Sequence, residues 1–198
     1  MEKFEKFRQI DSIGSPKTYS FGENGVFSPS TLRLIAMTGE VKEKLGDFED
    51  AHIVQIGAAC GNWCKILNDV FSFKSYTIVD LPEQLSLAKK CLEKLGIKNV
   101  QFLTPQELPK GKVYDLMISD QSFSEFDHDY QKLFFDRVIS CSKNGYLIGY
   151  EFPKHYGVSS MNLDALKIHF DKIEKLTQIQ EFRNNRDHYL IYWKKDAF

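Results

Sequence analysis

The chain has 198 residues, 42% of them apolar and 14% aromatic, which fills the interior of one compact domain and excludes an intrinsically disordered chain. Lys and Arg (26) nearly balance Asp and Glu (27), so the formal charge is −1. That excludes whole-surface attraction to nucleic acid or anionic lipid, and no apolar run approaches the roughly 18 residues of a membrane-spanning helix. The charged start, Met1-Glu-Lys-Phe-Glu-Lys6, lacks the features of a secretory signal. Cys60, Cys64, Cys91 and Cys141 show no CxxC spacing and read as reduced thiols, so a cytoplasmic protein is expected.

Residues 1–50 read as an arm and a helix ahead of a sheet core over 51–198, in one domain. The first 27 residues carry turn formers, Ile13-Gly-Ser-Pro16 and Gly22-Glu-Asn-Gly25, and predict an irregular arm ordered by its aromatics. Tyr19 and Phe21 either cover a ligand or pack on the sheet. Ser28-Pro29 predicts a helix start with Ser as N-cap, and Leu32, Ile35, Ala36 and Leu45 share one face before Gly46.

From His52 the rhythm becomes strand, glycine, helix, strand. His52–Ile56, Ser75–Val79, Val100–Leu103, Tyr114–Ser119 and Gly145–Glu151 read as strands. Helices are expected over Asn62–Val70, from Pro82 to Leu95 with Leu85, Leu87, Ala88, Cys91 and Leu92 inward, and over Tyr130–Ile139. This alternation predicts a parallel sheet with helices on both faces. After a helix over Leu163–Phe170, the strands Leu176–Phe182 and His188–Trp193 are separated by Arg183-Asn-Asn-Arg-Asp187. That gap is too short for a crossover helix, so the pair is an antiparallel hairpin. The expected fold is α/β, seven-stranded and mostly parallel with a C-terminal antiparallel hairpin, the ground plan of class I methyltransferases.

Two segments carry chemistry. Val54-Gln-Ile-Gly-Ala-Ala-Cys-Gly-Asn62 runs from a strand through Gly57 to Gly61 at a helix start. Such a turn either brings bare backbone to a ligand or simply connects strand and helix tightly. Asp80 ends the second strand, 19 residues after Gly61. A carboxylate there either binds the ribose hydroxyls of an adenosine cofactor or N-caps the helix from Pro82.

Ligands in this fold lie beyond the carboxyl ends of the strands. That selects Asp120, Glu125 and Asp127-His128 after the fourth strand, and Glu151 and His155 after the fifth. Asp127-His128-Asp129 either caps the following helix or meets a divalent ion; no second ligand group is evident, so no metal is assigned. His52 reads as structural.

The sequence resembles the bacterial sugar O-methyltransferases that use S-adenosylmethionine. The resemblance rests on Ile13-Gly-Ser-Pro16, Phe27-Ser-Pro-Ser-Thr-Leu-Arg33, Ile53-Val-Gln-Ile-Gly-Ala-Ala-Cys-Gly61, Tyr76-Thr-Ile-Val-Asp-Leu-Pro82 and Asp115-Leu-Met-Ile-Ser-Asp-Gln-Ser-Phe-Ser-Glu125. It implies a class I fold and methyl transfer to a hydroxyl of a sugar or nucleotide-sugar, in a setting such as surface-glycan biosynthesis. It further implies a cofactor set of Gln55, Gly57, Ala58, Ala59, Gly61, Asp80, Leu81 and Ser119, with ribose on Asp80. Of the carboxyl-end residues, Glu125 or His155 is the expected base, with Asp120 shaping the site beside the methionine part of the cofactor. Gln55 and Ala58-Ala59-Cys60 depart from the family pattern, since an acidic residue usually stands at the first position. The alternatives are therefore a non-catalytic binding or scaffold protein, or a methyltransferase for another small molecule. A homodimer is left open, and a nicotinamide dehydrogenase is disfavoured by the two-glycine turn and the hairpin.

Overall fold

The computed structural model describes residues 2–150, 157–171, 176–181 and 188–194. Seven strands make the main sheet: β1 (His52–Ile56), β2 (Ser75–Val79), β3 (Val100–Leu103), β4 (Tyr114–Asp120), β5 (Ser142–Tyr150), β6 (Leu176–Glu181) and β7 (His188–Lys194). Their order is β3-β2-β1-β4-β5-β7-β6. The first five in that order run parallel, and β7 lies antiparallel between β5 and β6. The chain direction across the sheet reverses beside β1, which pairs β2 on one side and β4 on the other. A crevice opens at such a switch point, beyond the carboxyl ends of the strands.

The helices are α1 (Glu2–Arg8), α2 (Pro29–Leu45), α3 (Asn62–Phe71), α4 (Pro82–Lys94), α5 (Ser122–Glu125), α6 (His128–Phe134) and α7 (Leu163–Asp171). Helix α6 runs on into a π-helical turn, Phe135–Ile139. Side chains alternate across the pleat, so each strand feeds two cores. On one face Ile53, Ile78 and Leu116 meet Val41 of α2, Leu67 of α3 and Leu92 of α4. On the other Val54, Ile56, Met117 and Leu147 meet Phe134, Val138, Leu166 and Phe170. Burial on both faces is why β1 and β2 read as nearly unbroken apolar runs.

The first 27 residues are more regular than expected. They begin with α1, followed by a 3-10 turn over Gln9–Ser12 and a two-stranded ribbon pairing Tyr19–Ser20 with Val26–Phe27. Phe7, Ile10 and Phe27 pack on Ile66 of α3, which orders the arm. Asp11 pins it to α2, accepting hydrogen bonds from the Ser28 N–H (2.8 Å), Ser28 Oγ (2.7 Å) and Thr31 Oγ1 (2.7 Å). Ser28 is the N-cap of α2, with Oγ accepting from the Thr31 N–H at 3.2 Å. Tyr19 and Phe21 are exposed.

Two inward assignments change. Ala36 is exposed, and α2 buries Thr31, Met37, Thr38, Val41 and Leu45 instead. Leu87 is 45% exposed on the outer side of α4. Lys65 of α3 is buried and pairs with Asp69 one turn on. Strand β5 begins at Ser142, earlier than Gly145, and α6 begins at His128 rather than Tyr130. Glu151 and Phe182 lie outside the described residues.

Candidate active site

Strand β1 delivers the chain to Gly57, whose φ of 89° belongs to glycine and whose N–H donates to the Val79 carbonyl at 2.9 Å. A Cβ at this position would stand 2.0 Å from Ser122 Oγ, so the backbone of the turn runs directly beneath α5. Gly61 (φ 74°) starts α3, and a Cβ there would stand 2.7 Å from Leu92 Cγ of α4. Between them Ala59 holds a left-handed φ of 43°, a strained conformation for a residue with a Cβ.

Asp80, 8% exposed, organises this turn. Its Oδ2 accepts from the Ala58 N–H at 2.6 Å and its Oδ1 from the Leu81 N–H at 2.7 Å. It does not cap α4, whose N-cap residue is Leu81 with no side-chain bond. Each carboxylate oxygen retains a lone pair, and the group lines a cavity at this edge of the sheet.

That cavity measures about 600 Å³. Asp80, Leu81 and Gln84 form one wall and Glu125, Phe126 and Tyr130 another. A second cavity of about 200 Å³ is lined by Gln55, Asn62, Trp63, Arg33 and Asp120. The two share Ala59 and Ser122 along their seam. Gln121, which leads into α5 at this seam, also has a left-handed backbone (φ 64°). Two strained non-glycine residues therefore flank the cavities, a placement common in ligand sites.

The candidate residues divide between the cavities. Asp80, Leu81 and Glu125 line the larger, Gln55, Gly57, Ala58 and Asp120 the smaller, and Ala59 both. Ser119 faces neither: fully buried, it donates to the Ile56 carbonyl (3.0 Å) and accepts from the Phe123 N–H (3.2 Å), joining β1 to α5. Gly61 likewise packs against α4. His155 lies outside the described residues. The Gln55 amide is committed internally, its Nε2 donating to the Gly57 carbonyl (2.5 Å) and its Oε1 accepting from Tyr76 Oη (2.6 Å).

Asp127 is the N-cap of α6, accepting from the Tyr130 N–H at 3.1 Å. Among the described residues no group of three or more His, Cys, Asp or Glu is arranged to hold a metal ion. His52 stands away from both cavities with Nδ1 2.6 Å from Ser75 Oγ.

Four site residues were not singled out from sequence. Arg33 makes a two-point ion pair with Asp120, and that bond raises the guanidinium pKa further above its ordinary value. Trp63 donates its indole N–H to Thr38 Oγ1 at 3.0 Å. Asn62 Oδ1 is buried with no partner among the described residues, an acceptor left open at the smaller cavity. Tyr150 Oη donates to Glu125 Oε1 at 2.9 Å. Arg33 sits in the Ser-Pro-Ser-Thr-Leu-Arg stretch and Asn62 at the end of the Val54–Asn62 segment already noted, which were the available signals; Trp63 and Tyr150 carried none.

No family model matches the sequence. Among solved structures, the chain is similar to an S-adenosylmethionine-dependent methyltransferase from Aquifex aeolicus (18% identity, 96% of this chain and 97% of that one, TM-score 0.62). It is also similar to a proposed sarcosine dimethylglycine methyltransferase from Galdieria sulphuraria (11% identity, 100% of both chains, TM-score 0.70). A third is a proposed RNA methyltransferase from Pyrococcus horikoshii (14% identity, 100% of this chain and 99% of that one, TM-score 0.59). Identities this low establish the fold and leave the acceptor open, because one fold serves many acceptors. The chain has the class I methyltransferase fold.

Proposed function

We propose that this chain is an S-adenosylmethionine-dependent methyltransferase that methylates a hydroxyl of a sugar or sugar-containing small molecule. One observation carries the reading: a nearly buried Asp80 carboxylate, fixed by the Ala58 and Leu81 N–H groups, faces a cavity of about 600 Å³ at the sheet's switch point. The cavity falls within the usual range for small-ligand sites. The donor set fits the cofactor. Asp80 would accept from the ribose hydroxyls, and Leu81, 45% exposed on the same wall, would lie against the adenine. In the smaller cavity the orphaned Asn62 Oδ1 and Asp120 suit an ammonium, and Arg33 suits a carboxylate.

The cofactor, when bound, supplies an electrophilic methyl group on a sulfonium. This chain's residues must hold the acceptor oxygen in line with it and take the hydroxyl proton. Glu125 is the base in this reading: the Tyr150 hydroxyl orients one oxygen and leaves the other open. Phe126 and Tyr130 supply aromatic surface beside Glu125 and Asp127, a combination of ring faces and carboxylates that suits a polyhydroxylated acceptor. A second reading, cofactor binding without turnover, is favoured by Gln55, which is neutral and hydrogen-bonded internally where a carboxylate is usual.

The test is thermal stabilisation by S-adenosylhomocysteine beside NAD, for the wild type, Asp80→Asn and Asp80→Ala. Stabilisation by S-adenosylhomocysteine alone is expected, weakened in Asp80→Asn and lost in Asp80→Ala. No shift with a folded wild type, or a larger shift with NAD, overturns the cofactor. Methyl transfer from labelled cofactor to a panel of nucleotide sugars then separates turnover from the second reading.

A further inference from the structure

The wall of the larger cavity made by Glu125, Phe126, Asp127 and Tyr130 is set before any ligand arrives. Phe126 packs edge-on against Phe134, with ring centroids 5.0 Å apart, and against Tyr130 at 5.7 Å. The Tyr130 hydroxyl accepts from Gln106 Nε2 at 2.9 Å, which fixes the second ring. Asp127 uses Oδ1 to cap α6 and is exposed, so its other oxygen is open to a ligand. The described residues lining this cavity include the carboxylates of Asp80, Glu125 and Asp127 and no Lys, Arg or His. Nothing among them would neutralise a phosphate. Aromatic rings beside a carboxylate instead attract a cation, through the ring quadrupole and through charge.

We propose that the acceptor is an amino sugar, whose protonated amino group is held by Asp127 and the rings of Phe126 and Tyr130 beside the hydroxyl that faces Glu125. The inference rests on the methyl-transfer reading of this cavity and names the acceptor class within it. Paired with Asp127, the ammonium keeps its proton and has no lone pair to offer, so the methyl group goes to the neighbouring hydroxyl oxygen. Asp127, Phe126 and Tyr130 then set specificity, and Glu125 remains the base. N-acetylation of the same sugar keeps its ring and hydroxyls but removes the charge, so it should remove the preference.

The experiment is calorimetric titration of the full chain with glucosamine, galactosamine and mannosamine, each beside its N-acetyl derivative and its neutral parent hexose, with and without S-adenosylhomocysteine. At least one amine is expected to bind about tenfold more tightly than both of its neutral counterparts. Asp127→Asn keeps a good N-cap for α6 and should erase that preference, and Tyr130→Leu should reduce it. Equal affinity within every set, tighter binding of the N-acetyl forms, no amine binding, or a preference that survives Asp127→Asn overturns the proposal. So does an Asp127→Asn variant that loses affinity for S-adenosylmethionine but not for S-adenosylhomocysteine or the amines, because the carboxylate then serves the sulfonium. Stabilisation by S-adenosylhomocysteine without an amine preference would leave the methyl-transfer reading standing and remove only this one. An amine preference without that stabilisation would keep the ammonium site and remove the cofactor.

Discussion

Arg33 on α2 and Asp120 at the end of β4, 87 positions apart in the chain, form a two-point ion pair, with Nη2 to Oδ1 at 2.6 Å, on the wall of the smaller cavity. The pair links the arm-anchored helix to the strand after which α5 begins. Both side chains keep contact with solvent, so the pair's contribution to stability is expected to be no more than about 1 kcal/mol. A double-mutant cycle of Arg33→Ala and Asp120→Asn in urea unfolding should give a coupling of that size. S-adenosylhomocysteine affinity should fall about tenfold or more in Arg33→Ala, which calorimetric titration reads; equal affinity would remove Arg33 from the proposed cofactor site.

The Gly57 position allows a sharper stability prediction. Gly57→Ala meets both an unfavourable φ and a clash with Ser122 Oγ, and should cost about 2 kcal/mol or more. Gly57→Ala in a Ser122→Gly background removes the clash but not the strained φ. Urea unfolding should therefore recover part of the loss in the double variant and not all of it.

Alkaline stability follows from buried phenols. Burial first, and then the neighbouring Cys141, pushes the Tyr114 pKa up to about 12 from an ordinary 10.0. Tyr76 and Tyr146 are raised as well, chiefly by burial, with the Glu40 carboxylate adding to the effect at Tyr146. A phenol with a raised folded pKa binds its proton more tightly in the native state. Its stabilisation is complete below about pH 10 and is lost as pH rises through the folded value. The urea midpoint should fall steeply between about pH 10 and 12, and phenolate absorbance from these tyrosines should appear together with the loss of circular dichroism. Full ionisation at pH 11 in a folded protein would contradict the burial argument.

For the proposed base, Glu125→Gln should lower kcat about a hundredfold or more while leaving S-adenosylhomocysteine binding intact. Tyr150→Phe keeps the carboxylate and removes only the hydrogen bond that orients it. It should cause a smaller loss in kcat. An unchanged Glu125→Gln rate would move the role of base to another group.

Much of this architecture was legible before any coordinates. Strands β1 and β2 were visible as β-branched runs because a doubly covered parallel strand is apolar on both faces. Ser28 at the start of α2 and Asp127 before α6 were visible because capping acts within three residues. Leu87 was misplaced because an apolar residue on a helix does not reveal how wide the covered face is.

Read along the chain, the residues specified the alternation of strands and helices from His52 onward, the parallel sheet with its closing hairpin, and the position of Asp80 after a glycine turn. Those are local matters of periodicity, capping and loop length, each set by interactions along a few residues. Only the folded chain shows that Asp80 holds Ala58 and Leu81, that Arg33 reaches Asp120 and that Tyr150 reaches Glu125. Nothing local selects these partners. They meet because parallel strands bring their carboxyl ends, and the loops that follow, to one edge of the sheet.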